Sequence, residues 1–171
     1  MPAGAWLASL KSAVNTEWQN QESKESLMPV FQSEGFELAY EVYGDGPPVV
    51  AVHGFGSNGI VNWVATGWVE TLTEAGYRVI TLDNRGHGKS EKLYEAERYD
   101  AREMARDVAN LIDHLGYGKA ALIGYSMGAR ISAFVAIQNP EKVACAIFGG
   151  LGANMPTPTL DSDEIIAALN A

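Results

Sequence analysis

Short apolar runs alternate with stretches in which apolar positions recur every three or four residues. Val49-Val50-Ala51-Val52, Tyr77 to Leu82, Ala120-Ala121-Leu122-Ile123 and Lys142 to Phe148 are too short for stable helices and read as buried strands. Upstream, Pro29-Val30-Phe31 and Phe36 to Tyr43 flank Ser33-Glu34-Gly35, which predicts an antiparallel hairpin. The second arm alternates apolar and polar, as a strand with one solvated face should. Gly44-Asp45-Gly46-Pro47-Pro48 ends it, since prolines cannot donate to a strand ladder.

Helical spacing lies between the strands. Ala101, Met104, Ala105, Val108, Leu111, Ile112 and Leu115 form the clearest amphipathic stripe, closed by Gly116 and Gly118. Asp100 and Glu103 read as a helix cap with its reciprocal acid. Trp63, Trp68, Val69 and Leu72 predict a helix stopping at Gly76, a reading that Gly67 weakens. Ala129 to Ile137 reads as a further helix, and Pro140 breaks it. Strand and helix in alternation predict an α/β protein with a mostly parallel, doubly wound sheet behind the N-terminal hairpin.

The ends differ from this middle. Trp6, Leu10, Val14 and Trp18 recur every four residues, and a polar stretch from Gln19 to Ser26 follows. Residues 1–27 are therefore expected to form an extension outside a core of residues 28–155. Residues 156–171, with Pro156 and Pro158 before an acidic, helix-prone tail, read as the start of an excursion from that core.

With 171 residues the chain can bury one sizeable core. Twelve basic against 21 acidic residues leave a net charge of −9, which disfavours contact with nucleic acid or an anionic membrane. No apolar run approaches the length of a membrane span. The one cysteine, Cys145, sits in an apolar run and is expected to be a buried, inert thiol, compatible with the reducing cytoplasm. Metal-ligand spacing is absent and no cofactor is implied.

The chemistry concentrates in Gly124-Tyr125-Ser126-Met127-Gly128, set between a strand and a helix. Such a sharp turn strains the serine backbone and lifts its hydroxyl clear of the sheet, while the helix N-terminus behind it offers free N–H groups. Gly124 and Gly128 leave no side chains to collide across the turn. His53-Gly54-Phe55-Gly56-Ser57-Asn58-Gly59 contains a G-x-G-x-x-G after a strand, and Asp83 stands where a ribose-binding acid would be. That dinucleotide reading gives Ser126 no role. The competing one has Gly54 and Gly56 bring the backbone of Phe55 close to the serine, its N–H an oxyanion donor. Gly88-Lys89-Ser90 lacks the earlier glycine of a phosphate loop, because Asp83 occupies that position. Asp83 and Arg85 are expected to tie this segment together, with His87 a hydrogen-bonded loop residue and His114 in capping or surface duty at a helix C-terminus.

Together, His53-Gly54-Phe55-Gly56, Asp83 to Ser90 and Gly124 to Gly128 resemble the α/β-hydrolase fold family over about residues 28–155. The resemblance implies Ser126 as nucleophile, the N–H groups of Phe55 and Met127 as oxyanion hole, and acyl transfer on carboxylic esters, thioesters or lactones. Serine there argues against the branches that use aspartate, the haloalkane dehalogenases and epoxide hydrolases. The family's triad runs nucleophile, acid, histidine, yet no histidine follows Ser126, and Asp161, Asp163 and Glu164 lie in a polar tail. The chain is therefore expected to be the N-terminal part of a hydrolase, without the last two strands or a general base and inactive alone. Its strand at 142–148 is expected to be an open edge prone to self-association. Two alternatives stand. One is a C–C or C–O lyase, because the elbow also resembles that of a menaquinone-pathway synthase, with Arg130 contacting a substrate carboxylate or forming a helix-surface salt bridge. The other is a non-catalytic relative of the fold.

Overall fold

The computed structural model describes residues 28–152. The expectations for residues 1–27 and for the tail from 156 onward lie outside the described residues. Six strands form one mixed sheet: β1 (Val30–Ser33), β2 (Phe36–Tyr43), β3 (Pro48–Val52), β4 (Arg78–Leu82), β5 (Ala120–Tyr125) and β6 (Val143–Gly149). Their spatial order is β1-β2-β4-β3-β5-β6. β1, β2 and β4 pair antiparallel, and β4, β3, β5 and β6 run parallel, so the predicted architecture holds. The hairpin turns on Glu34 and Gly35, both at positive φ (51° and 88°), as a two-residue primed turn requires.

Helix α2 (Ala101–His114) and helix α3 (Met127–Gln138) cover one face of the sheet. Their apolar stripes, among them Val108, Leu111, Ile112, Ile131 and Val135, close over Leu38, Val50, Val52, Ile80, Leu82 and Leu122. Burial of each such side chain contributes about 1.5–3 kcal/mol. The opposite face, with Val49, Ala51, Val79 and Ile123, packs under Trp63 and Val69. Coverage on both sides explains why the central strands read as unbroken apolar runs.

Several expectations change. The helix predicted across Trp63 and Leu72 is split at Gly67, whose φ of 81° is left-handed, into one π-type turn (Ile60–Val64) and the short helix α1 (Trp68–Glu74). In β2 the alternation fails at its centre: Leu38, Ala39 and Tyr40 are buried in succession, since Leu38 and Tyr40 join the helix-covered core while the loop after β4 reaches Ala39, Ser90 Oγ taking its N–H at 2.9 Å. Asp100 does cap α2, accepting from Arg102 N at 2.7 Å, but Glu103 reaches Arg106 instead of back to the cap. Strand β6 is no buried strand. It ends the sheet, and Cys145 on it is exposed, which corrects the expectation of a buried thiol. No helix among the described residues is long and apolar enough to cross a membrane.

Candidate active site

The parallel strands β3, β4 and β5 end on one edge of the sheet, and the three sequence motifs leave from those ends. Ser126 is the residue between β5 and α3. Its backbone adopts φ 52°, ψ −114°, a conformation that costs a non-glycine residue about 1–3 kcal/mol. Two bonds hold it there: its N–H donates to Gly149 O at 2.8 Å, and its C=O accepts from Arg130 N at 3.2 Å, which opens the helix. The side chain is exposed.

The flanking glycines are set by close approach rather than by φ. A Cβ on Gly124 would lie 2.6 Å from Gly128 C and 2.7 Å from Ala129 Cα. One on Gly128 would run into the carbonyls of Val52 and His53, 2.5 Å from Val52 C and 2.6 Å from His53 O. Helix α3 therefore starts pressed against the end of β3, and only residues without side chains permit it.

That contact brings the second motif alongside the serine. A Cβ on Gly54 would sit 3.3 Å from Tyr125 Cδ1 and 3.6 Å from the Ser126 Cβ. The Gly54 N–H donates to Asn62 Oδ1 at 3.0 Å, and its carbonyl accepts from His53 Nδ1 at 2.7 Å and from Ser57 N at 3.3 Å. His53 Nε2 accepts the Asn84 N–H at 3.0 Å, so Nδ1 carries the proton and the ring is neutral. The Gly54–Phe55 peptide is thus fixed from its carbonyl side, which directs the Phe55 N–H the opposite way. Among the described residues, neither the Phe55 nor the Met127 amide has a protein acceptor. Met127 opens α3, where such free donors and the positive end of the helix dipole are expected.

Burial drives the His53 pKa from 6.5 down to about 4, the Gly54 carbonyl pulling weakly the other way. A depressed histidine binds fewer protons folded than unfolded, so its stabilisation is complete above 6.5 and is lost as pH falls toward 4. The shift corresponds to about 3 kcal/mol. Urea unfolding between pH 7 and 4 should show stability falling with acidity, and His53→Gln should flatten that slope. An unchanged slope in the variant would remove His53 from the account.

The third motif braces the loops. Asp83 accepts from Gly59 N and from Lys89 N, both at 2.8 Å, so its carboxylate bridges the loops after β3 and β4. Engaged in this way it is no ribose acceptor, and a Cβ on Gly59 would meet Thr81 Oγ1 at 2.8 Å. The engagement of Asp83 counts against the dinucleotide reading. Arg85 ties its loop to α2: Nε and Nη2 each reach Asp107 at 2.7 Å, and Nη1 reaches Arg98 O at 2.9 Å. Burial raises the Asp107 carboxyl above the usual carboxylate range, against the pull of Arg85 and Ser33. His87 hydrogen-bonds the Arg85 carbonyl at 3.0 Å and lies edge-on to His53 and Phe55. His114 is exposed at the end of α2, which fits surface duty rather than capping, and its ring lies tilted against Phe31 and edge-on to Tyr40.

Sequence reasoning missed Asn62 and Asp107. A polar residue in an otherwise apolar helical stripe was the available signal for each. Arg130 lies half-buried one turn into α3. Phe55 and Tyr125 form an aromatic rim, more than half exposed, around the serine's loops.

A family model for the alpha/beta hydrolase fold matches residues 47–170. The acetyltransferase component of the acetoin cleaving system of Pseudomonas putida is 42% identical over 109 residues, 64% of this chain and 27% of that protein. Epoxide hydrolase B of Mycobacterium tuberculosis is 32% identical over 114 residues, 65% of this chain and 29% of that protein. Among solved structures, a thermophilic esterase from Thermogutta terrifontis superposes with a TM-score of 0.61 at 35% identity, over 71% of this chain and 43% of the esterase. The N-acyl homoserine lactone degrading enzyme Est816 superposes with a TM-score of 0.62 at 30% identity, over 70% of this chain and 44% of that enzyme. The chain spans less than half the length of each of these relatives. Matched by the family model over most of its length, and carrying the sheet order and strand-to-helix serine turn described above, the chain belongs to the alpha/beta hydrolase fold family.

Proposed function

We propose that this chain carries the nucleophile and oxyanion half of a cytoplasmic serine hydrolase for small carboxylic esters, thioesters or lactones. One observation carries the reading: an exposed serine at positive φ beside two backbone amides that have no acceptor among the described residues. Ser126 Oγ attacks the substrate carbonyl carbon, and the Phe55 and Met127 N–H groups take the charge that develops on its oxygen. The leaving group departs with a proton, and water then releases the acyl group from Ser126. Each oxyanion donor of this kind stabilises the transition state by about 2.7–4 kcal/mol. The relatives named as an esterase and a lactone-degrading enzyme support this substrate class. The epoxide hydrolase relative fits less well, because serine stands where that branch is expected to use aspartate.

The proton on Ser126 Oγ needs an acceptor. Both ring nitrogens of His53 are engaged, His87 bonds its own loop, and His114 lies against Phe31 and Tyr40. With no histidine on Ser126, its hydroxyl stays protonated and weak at neutral pH. A fluorophosphonate probe should therefore leave Ser126 of this chain unlabelled in intact-mass and peptide mapping. Adding imidazole as a surrogate base should produce an adduct at Ser126 that Ser126→Ala abolishes. Rapid labelling without imidazole would reveal a base elsewhere, and labelling only at other residues would remove the nucleophile.

A further inference from the structure

We propose that Asn62 is the positioning residue of the oxyanion hole: its side-chain oxygen holds the Gly54 amide and so sets where the next amide, that of Phe55, points. This role rests on Ser126 being the nucleophile. The bond in question runs from Gly54 N–H to Asn62 Oδ1 at 3.0 Å, joining the loop after β3 to the π-type turn that follows it. A backbone N–H can only donate, so the oxygen of the Asn62 amide is the atom that faces it. Gly54 is buried but has no Cβ to narrow its φ and ψ, and rotation about them swings the Gly54–Phe55 peptide as a rigid plane. Phe55 is 64% exposed and Gly56, at φ 66°, is exposed as well, so packing holds that side of the peptide loosely. The Gly54 carbonyl is held by His53 Nδ1 and Ser57 N, and the Asn62 bond holds the amide end. Without it, a buried donor is left unpaired and the glycine is free to turn.

Asn62 can act this way because its own turn is anchored. Its N–H donates to Asn58 O at 3.0 Å, Thr66 Oγ1 donates to its carbonyl at 2.7 Å, and Ala65 N–H closes the turn on Ile60 O at 2.9 Å. Trp63, the next residue, is buried in the core and lies edge-on to Trp68. At the far end of the loop Asp83 takes the Gly59 N–H at 2.8 Å. The segment carrying Phe55 is therefore pinned at both Gly54 and Gly59. The residue type fits the task too. Asparagine supplies a neutral acceptor, whereas a carboxylate could make the same bond but would set a negative charge near the place where the oxyanion forms.

Fluorophosphonate labelling of Ser126 in the full chain, with imidazole as the base, separates the rate constant at saturating probe (kinact) from the probe's affinity (KI). Asn62→Leu, close in size but without an acceptor, should lower kinact on the order of a hundredfold and leave KI almost unchanged. Asn62→Asp, which keeps the acceptor, should recover part of that loss. Amide hydrogen exchange read by NMR reports the bond independently of Ser126. The Gly54 N–H should be protected in the parent and in Asn62→Asp, and should exchange freely in Asn62→Leu. If Asn62→Leu fails to give a cooperative urea transition, the parent and Asn62→Asp measurements still decide. A parent that imidazole never renders reactive would overturn the nucleophile and this role with it. A labelled parent whose folded Asn62→Leu variant keeps its kinact would overturn the role alone, as would a Gly54 amide that exchanges freely in the parent.

Discussion

Gly128→Ala is expected to yield no folded protein. In the interior of an exposed helix this change normally stabilises by about 0.5–1 kcal/mol. Here the sign reverses, because the added methyl group would press into the carbonyls of Val52 and His53 at the end of β3. Those carbonyls belong to the central strand and the loop that follows it, and the His53 carbonyl also accepts from Asn84 Nδ2 at 3.2 Å. Neither backbone can retreat without moving the sheet. The cost should exceed about 4 kcal/mol, comparable with the whole stability of a marginal domain. Insolubility, or loss of a cooperative urea transition, would be the readout. Recovery of a soluble variant with wild-type unfolding would mean that α3 does not start against β3.

Arg85→Met is expected to be the most damaging change away from the elbow. Arg85 and Asp107 are each 2% exposed in their side chains and joined by two bonds at 2.7 Å. Removing one partner leaves the other charge buried alone, at a cost of about 3–5 kcal/mol. Ser33 and Asn110 extend the network: Ser33 Oγ donates to Asp107 at 2.6 Å and accepts from Asn110 Nδ2 at 3.0 Å. This chain of bonds fastens the loop carrying His87 to α2 and to the hairpin. The double variant Arg85→Met/Asp107→Leu should regain part of the loss, since no unpaired charge remains, although the Ser33 hydroxyl then lacks its acceptor. Urea midpoints of the three proteins give the comparison. A double variant no better than Arg85→Met would show that the cost is packing rather than charge.

What could be read in advance follows from how local each signal is. The sheet and its helices were legible because both faces are covered, which writes apolar runs into β3, β4 and β5 and helical spacing into Ala101 to Leu115. The elbow was legible because close approach of α3 to β3 demands glycine at fixed distances from Ser126. Asp83 showed itself as a loop brace, but the partner of Arg85 did not, since Asp107 lies on a distant helix and periodicity says nothing of which charges meet. Cys145 was misjudged for a related reason: an apolar run reports what a strand could bury, and whether another element covers it is a property of the whole sheet. The break at Gly67 was flagged by composition, yet its left-handed φ is visible only in three dimensions.

A crystal structure of the chain is the most direct test of the proposed nucleophile. Ser126 should appear at positive φ with its hydroxyl exposed, and the Phe55 and Met127 N–H groups should converge on one point about 2.7–3.1 Å from each, beside Oγ. Ser126 in ordinary helical geometry, or either amide bonded to a protein acceptor, would contradict the account.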